Sequence, residues 1–475
     1  MHVGVEAIGT YVPSGRLAIS ELRQHWPGVP TPGGVKTVTV AGYDEDIVTM
    51  GVEAAEAALS GVTVASVDLL IVATCSSPYT EHSAAAEIAR ALALEPTAAI
   101  VDVAGSTLGG VNGVESARGA IVAGNATRVL VVAAERRRGA PGSAVEALGA
   151  GAVALLISSE ATSTLGPSVS YRHGVPTRWR SESTGVLRNY DDQRYELVGQ
   201  IEPALKGVLS QLAPGATQLA VGPLDVRSRT ALLRSTNFDA TDSSFDFSQT
   251  GELGSGGPLF DLAGVVTNQE SVLVACVGVE SGSGATGFTL DVNGPIRVTA
   301  HLPEPTPISY VEYLQRFGVI EGPMPPSPIV PYAATPGAAR SDLEGSLTGA
   351  RCVACQSFNI PPRRLCVDCG TSEFTFERAV RFGEVVTFNV QHVVAVHPEP
   401  APVAVGVVRL KGETGSRGGQ ISAMFCDTKL DELKVGTAVK IVYRRLGVDD
   451  GLVKYGWKVR SVTDSSDEVT PGRLS

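Results

Sequence analysis

At 475 residues, with 43% hydrophobic and 18% charged side chains, the chain is long enough for two or three domains with sizeable cores, and general disorder is excluded. A formal charge of −11 argues against nucleic acid as the main partner, because phosphate contacts need a basic surface. No apolar run reaches the roughly 18 residues that cross a bilayer, and Met1-His2-Val3-Gly4 lacks a basic-then-apolar signal, so a soluble cytoplasmic protein with no membrane partner is expected.

Residues 1–295 read as strands alternating with helices. The apolar runs Leu69-Leu70-Ile71-Val72-Ala73 and Val129-Leu130-Val131-Val132-Ala133 predict strands buried on both faces. Residues 84–92 and 109–123 predict helices between them. The segment 106–135 aligns without gaps to 251–280, an internal repeat at an offset of about 145 residues. Leu108-Gly109 falls on Leu253-Gly254, Gly119 on Gly264, Val129 on Val274 and Glu135 on Glu280. A further strand follows each copy, at 151–157 and 287–292. Such a duplication predicts two similar sheets related by a pseudo-twofold axis, with Thr107 and Glu252 at equivalent places near two helix N-termini.

Residues 296–345 read as a connector, with a short helix over 310–317 and an extended linker at Gly322-Pro323-Met324-Pro325-Pro326-Ser327-Pro328. Two C-x-x-C hooks follow, Cys352-Val353-Ala354-Cys355 and Cys366-Val367-Asp368-Cys369. Their spacing places four thiolates around one zinc ion in a closed site that staples a fold and leaves no position for substrate; a redox dithiol or disulfide pair is the alternative. The remaining cysteines, Cys75, Cys276 and Cys426, are left as free thiols. Residues 346–380 then form a zinc ribbon. Within 381–465, alternating runs at 385–390, Val403–Leu410, 421–425, 438–443 and 454–459 predict a small five-stranded barrel, and 466–475 a tail.

The opening Ile8-Gly9-Thr10-Tyr11-Val12-Pro13, the strand Ile71-Val72-Ala73-Thr74, Asp102-Val103 followed by Thr107-Leu108-Gly109-Gly110, and Gly149-Ala150-Gly151-Ala152 occur in an order that resembles the thiolase superfamily, in its HMG-CoA synthase and ketoacyl-ACP synthase III branch. The resemblance implies a duplicated α/β fold in five layers (αβαβα), with halves at 1–160 and 161–295. It also implies a homodimer acting on acyl-CoA or acyl-carrier-protein thioesters, by acyl transfer or by aldol or Claisen C–C bond chemistry. Residues 345–465 resemble the rubredoxin-type zinc ribbon and OB-fold proteins that accompany thiolase-like enzymes. That resemblance runs through the cysteine hooks, Phe382-Gly383-Glu384-Val385-Val386-Thr387-Phe388, Pro400-Ala401-Pro402 and Leu433-Lys434-Val435-Gly436. It implies structural zinc and a module that presents acyl-CoA to a thiolase-like partner, so a non-catalytic scaffold stands as the alternative to an enzyme.

The resemblance assigns a Cys–His–Asn triad that this chain lacks. Thr107 stands at the cysteine position, Glu252 at the asparagine, and Gly222-Pro223-Leu224-Asp225 where the histidine is expected. Three readings follow. The site works without an acyl-enzyme, Thr107 and Glu252 being helix caps. Or the Ser106 or Thr107 hydroxyl is acylated with Glu252 as base. Or the thiol has moved to Cys75, as nucleophile or proton donor, where the resemblance to HMG-CoA synthases implies the general acid/base Glu of Ala-Thr-Glu-Ser; its bland reading is a small buried hydrophobe. Ser281-Gly282-Ser283-Gly284 resembles a glycine-rich loop that offers backbone N–H groups to a thioester oxyanion. Tyr79, Glu81 and His82 lie in the loop after Cys75, and His173, Arg178, Asp191 and Arg194 in a substrate-covering segment. Arg136-Arg137-Arg138 is read either as a contact for CoA phosphates or as a solvated charge run.

Overall fold

A computed structural model describes residues 1–181, 183, 185–190, 192–212, 214–236, 238, 245–320, 345–392, 399–411, 419–449 and 451–462. The α/β body is built in five layers. Its first sheet has six strands in the order Arg297–His301, Gly4–Tyr11, Ala150–Ser158, Arg128–Arg136, Leu69–Thr74, Ala99–Ala104. The second runs Gln218–Gly222, Ser271–Glu280, Gly284–Asn293, Thr164–Leu165, with Val169–Tyr171 also paired to Gly284–Asn293.

Side-chain alternation along each strand assigns the layers. Leu70, Val72, Leu130 and Val132 pack against the outer helices Ile47–Leu59 and Ala84–Leu92. Ile71, Ala73, Val129 and Val131 face the other way, onto the central helices Gly109–Val122 and Gly257–Val266. Cys276 and Phe288 of the second sheet close that central core, while Leu219, Val277 and Val279 face Glu202–Leu209 and Val226–Ser235 on the far side. The two halves meet closely: a Cβ on Gly110 would lie 2.2 Å from the Ser255 carbonyl oxygen, so only glycine fits at that crossing. The edge strand Ala99–Ala104 has no counterpart in the second sheet among the described residues.

The 296–345 connector needs correction. Arg297–His301 joins the first sheet parallel to Gly4–Tyr11, Thr306–Ile308 pairs with Gly15–Ala18, and Tyr310–Arg316 is a helix capped by the Ser309 hydroxyl. The α/β body therefore extends past residue 295. Its reason is pairing between residues nearly 300 positions apart, which no local pattern announces. The 322–328 linker and the 466–475 tail lie outside the described residues.

Thr348–Cys352 pairs with Phe358–Asn359 and Phe374–Arg378 in the ribbon. The five barrel strands follow in the order Gln420–Met424, Val403–Leu410, Phe382–Gln391, Ala438–Asp449, Leu452–Ser461, and a Phe425–Val459 bridge brings the two ends together. Leu347, Phe358 and Ile360 of the ribbon share one core with Val385, Val408, Ile441 and Val459 of the barrel.

The barrel is seated on the α/β body. Tyr443 and Tyr455 enter the core beside Ile47 and Met50. Two fully buried cations cross the junction: Arg444 lies 3.2 Å from Glu53 and from Asp427, and Lys458 lies 2.8 Å from Asp44 and 2.9 Å from Glu399. The Tyr455 hydroxyl donates to Asp46 at 2.7 Å. No helix among the described residues is long and apolar enough to cross a membrane.

Candidate active site and zinc centre

The turn before Gly109–Val122 carries Ser106 and Thr107. The structure pairs them with Glu280, at the end of Ser271–Glu280, and not with Glu252. Ser106 Oγ donates to one carboxylate oxygen at 2.8 Å; the Thr107 N–H and hydroxyl donate to the other at 2.8 and 3.2 Å. The repeat that aligned Glu135 with Glu280 has a counterpart here. Glu135, from the first half, reaches the second, accepting from Ser255 Oγ at 2.7 Å and Ser255 N–H at 3.2 Å. Each half thus supplies a carboxylate to the helical turn of the other. That alignment was the sequence signal for Glu280, which motif comparison alone passes over.

Glu135 also fixes the Cys75 strand end. It accepts the Cys75 N–H at 2.9 Å and the Ser76 hydroxyl at 2.7 Å. Burial, followed by the Glu135 charge, pushes the Cys75 thiol well up, and Arg137 only partly opposes this. A nucleophilic cysteine needs the reverse environment.

A row of alternating charges runs from there into a cleft. Arg137 lies between Glu135, at 3.7 Å, and Glu252, at 2.8 Å. Arg178 lies between Glu252, at 2.7 Å, and Glu196, at 2.8 Å. Burial opposes ionisation of Glu252, yet Arg178 and Arg137 hold its carboxylate below the usual range, which makes it a poor base. Burial pushes Glu196 up, Arg178 offsets only part of this, and the Glu252 charge adds to it. The cleft is open to solvent and encloses about 50 Å³, and Leu148, Leu224, Asp225, Arg178, Glu196 and Glu252 line it. Glu196 was not foreseen from the sequence. It stands on Tyr195–Ile201, a π-helical turn of a kind often found at functional sites.

The short hairpin Arg178–Arg180 with Leu187–Asn189 covers this region. Strand alternation puts Arg178 and Arg180 on one face, and both use it: Arg178 for the two carboxylates, Arg180 for the Cys75 carbonyl oxygen. The helix-cap reading of Glu252 and Thr107 is corrected: the helix Gly109–Val122 takes no side-chain cap from Leu108, and Glu252 serves two arginines.

In the Ser281-Gly282-Ser283-Gly284 loop, directly after Glu280, the Ser281 hydroxyl accepts from the Thr177 N–H at 2.9 Å, and the Ser283 N–H donates to the Glu280 carbonyl at 3.3 Å. Gly282 and Gly284 take φ of 83° and 100°, and Cβ atoms there would strike the 171–176 segment. The Tyr79 hydroxyl bonds the Val453 backbone of the barrel, and His82 is exposed and pairs with Glu87 at 3.0 Å. His173 bonds the Gly199 carbonyl at 3.1 Å; Glu81 and Arg194 are exposed; Asp191 lies outside the described residues. The Arg136-Arg137-Arg138 run is neither a solvated face nor a free phosphate contact. Arg137 is buried in the charge row, and Arg136 and Arg138 lie over the Phe317 ring at 4.9 and 5.9 Å.

The sulfurs of Cys352, Cys355, Cys366 and Cys369 all lie within 4.8 Å of one another. The Cys352–Cys369 and Cys355–Cys366 separations are 3.5 and 3.6 Å, close to the edge of about 3.8 Å that four Zn–S bonds of about 2.3 Å impose on a tetrahedron. Both are far too long for disulfides. Asn359 Nδ2 points at Cys366 Sγ from 3.7 Å, and the Cys355 N–H at Cys352 Sγ from 3.4 Å, donors suited to thiolates. The donor set fits structural zinc.

Residues 342–375 match the rubredoxin-like zinc ribbon domain of ChsH2, and residues 377–444 its C-terminal OB-fold domain. The hydroxymethylglutaryl-CoA synthase of Pyrococcus horikoshii is 30% identical over 186 residues, 38% of this chain and 53% of that protein. The synthase of Aeropyrum pernix is 29% identical over 235 residues, 46% and 64% respectively. The chain thus spans about half the length of the Pyrococcus relative. Among solved structures, an HMG-CoA synthase complexed with CoA superposes with a TM-score of 0.60 at 17% identity, covering 69% of this chain and 93% of that one. The 3-oxoacyl-[acyl-carrier-protein] synthase III of Aquifex aeolicus gives 0.54 at 20%, covering 61% and 99%. The chain therefore joins an α/β body with the fold of the thiolase, ketoacyl synthase III and HMG-CoA synthase group to zinc ribbon and OB-fold domains of the ChsH2 type.

Proposed function

We propose that this protein is an acyl-CoA-processing enzyme that works on C–C bonds by acid–base chemistry, without an acyl-enzyme intermediate. Kinship to HMG-CoA synthases supports acyl-CoA processing at the level of the superfamily. The observation that carries the rest is the nucleophile turn. Thr107 replaces the thiol, and Glu280 engages both its hydroxyl and its N–H, while the one nearby thiol, Cys75, is held protonated. A hydroxyl with only a carboxylate beside it is a weak nucleophile toward a thioester. The cleft instead offers carboxyl groups of unequal acidity, the pattern of acid–base sites.

The fused module serves its own body in this reading. Its face is already occupied, through Arg444, Lys458 and Tyr455, by the α/β body of the same chain. That favours an enzyme over a scaffold for a separate thiolase-like partner. A homodimer is part of the proposal: the edge strand Ala99–Ala104 exposes Ile100 and Val101 with unpaired backbone groups, and a second copy is its natural cover.

The test is intact-protein mass spectrometry after brief exposure to a panel of acyl-CoAs, with peptide mapping. Unmodified protein that binds CoA thioesters is the expected result. An acyl group on Cys75, Ser106 or Thr107 overturns the non-covalent mechanism and names the nucleophile.

A further inference from the structure

Three carboxylates and two guanidinium groups form the row Glu135–Arg137–Glu252–Arg178–Glu196. Two cations cannot neutralise three buried anions, so one carboxyl is left short of charge compensation. Hydrogen bonding decides which. Glu135 receives the Cys75 N–H, the Ser76 hydroxyl, and the hydroxyl and N–H of Ser255, in addition to Arg137. Glu252 has both arginines, each at hydrogen-bonding distance. Glu196 has one edge of Arg178, already committed to Glu252, and no other side-chain partner among the described residues. It also lines the cleft together with Asp225, whose negative charge acts in the same sense.

We propose that Glu196 is a catalytic residue of this cleft, the base that takes the α-proton of a bound acyl-CoA thioester and later returns it. This rests on the acyl-CoA reading above. In the forward step the Cα–H bond breaks and the proton passes to a Glu196 carboxylate oxygen. The C–H electron pair becomes the enolate double bond, and the carbonyl π pair moves to the thioester oxygen. When the enolate adds to a carbonyl acceptor, the C–C bond forms and the Glu196 proton goes to the new alkoxide; without an acceptor the proton returns to Cα. Nothing is oxidised or reduced. Arg178 and Glu252 are positioning residues here: Glu252 holds Arg178 in place, and Arg178 fixes the Glu196 carboxylate at the wall of the cleft.

The experiment uses acetyl-CoA in D2O. Deuterium entry at the methyl group is read by mass spectrometry, and binding of the same probe by calorimetry. Wild-type protein is expected to bind acetyl-CoA and exchange its α-protons. Glu196→Gln is expected to bind within about twofold of wild type and to lose exchange by about 100-fold or more, the usual range for a general base. Should Glu196→Gln fail to fold, Glu196→Asp, one methylene shorter, is expected to keep binding and lose about tenfold in exchange. Exchange within about threefold of wild type in whichever variant folds, or binding by the wild type without exchange, overturns the role of Glu196 alone. No binding of acetyl-CoA by the wild type overturns the acyl-CoA reading on which it rests.

Discussion

Lys458 and Arg178 are each shared by two carboxylates, at opposite kinds of place in the molecule. Lys458 lies between Asp44 and Glu399 at the seat of the barrel, and Arg178 between Glu252 and Glu196 at the cleft. The electrostatic outcome is alike. In the first pair, burial opposes ionisation but Lys458 and Arg444 hold Asp44 low, while burial and Asp44 push Glu399 up to about 8. In the second, Glu252 is lowered and Glu196 raised. The surroundings differ. Lys458 is fully buried between two packed domains, whereas Arg178 is 33% exposed on the wall of an open cleft. The same device is a joint where protein covers it and a proton-transfer site where a substrate can reach it.

The largest disturbance is removal of zinc, since structural zinc supplies about 10 kcal/mol or more to small ribbons. The ribbon and barrel share one core, so chelation should strip hydrogen-exchange protection from both. The charge row at the cleft lies wholly in the α/β body, and protection around Glu252 should persist. Loss of protection at both places together would show that the joint and the cleft are one cooperative unit.

Lys458→Met comes next. It removes the cation that Asp44 and Glu399 share and leaves buried Asp44 with the pull of Arg444 alone, and such a loss costs about 3–5 kcal/mol. Denaturant unfolding of the variant measures it. Adding Asp44→Asn and Glu399→Gln should recover most of the loss, because uncharged partners no longer need the lysine. No recovery in the triple variant would mean that Lys458 acts through its packed aliphatic stem.

Arg178→Met should cost less in stability, about 1–2 kcal/mol, because the site is partly solvated and Glu252 keeps Arg137. Its effect should appear in chemistry. Removing a cation raises the neighbouring carboxyl groups, and a base must be deprotonated to act. The pH at which acetyl-CoA α-proton exchange sets in should therefore move upward. An unmoved profile would separate Arg178 from the proton-transfer step.

How far the sequence carries depends on whether a feature is local. The cysteine hooks are read from spacing because four ligands of one ion lie on two short loops. Val403–Leu410 is legible from alternation, and the 106–135 repeat from its pattern. The shared cations are not legible. Arg444 and Lys458 look like ordinary charged residues on barrel strands, and only the seating of those strands on Asp44, Glu45 and Glu53 buries them. Glu196 sits in a polar stretch that reads as a solvated loop; its role comes from Arg178, which a hairpin brings across the cleft. The strand Leu69–Thr74 is legible from its apolar run, but the surroundings of Cys75 directly after it are set by Glu135, 60 residues away in sequence.

The smallest effect is also the sharpest comparison between the two pairs. A carboxyl raised in the folded state contributes fully below its unfolded value near 4.5, and that contribution is lost as pH rises through about 8. The folded wild type should therefore lose stability between about pH 5 and 8 through Glu399. Glu399→Gln removes this titration, so its stability should fall less over the same range. Asp44 does not confuse the comparison, because its lowered carboxyl contributes throughout that range and loses stability only in acid, below its unfolded value near 3.8. Denaturation midpoints measured across the range in both proteins give the difference. Parallel curves would place the extra proton elsewhere in the joint and leave Glu196 as the one carboxyl in the two pairs to hold it.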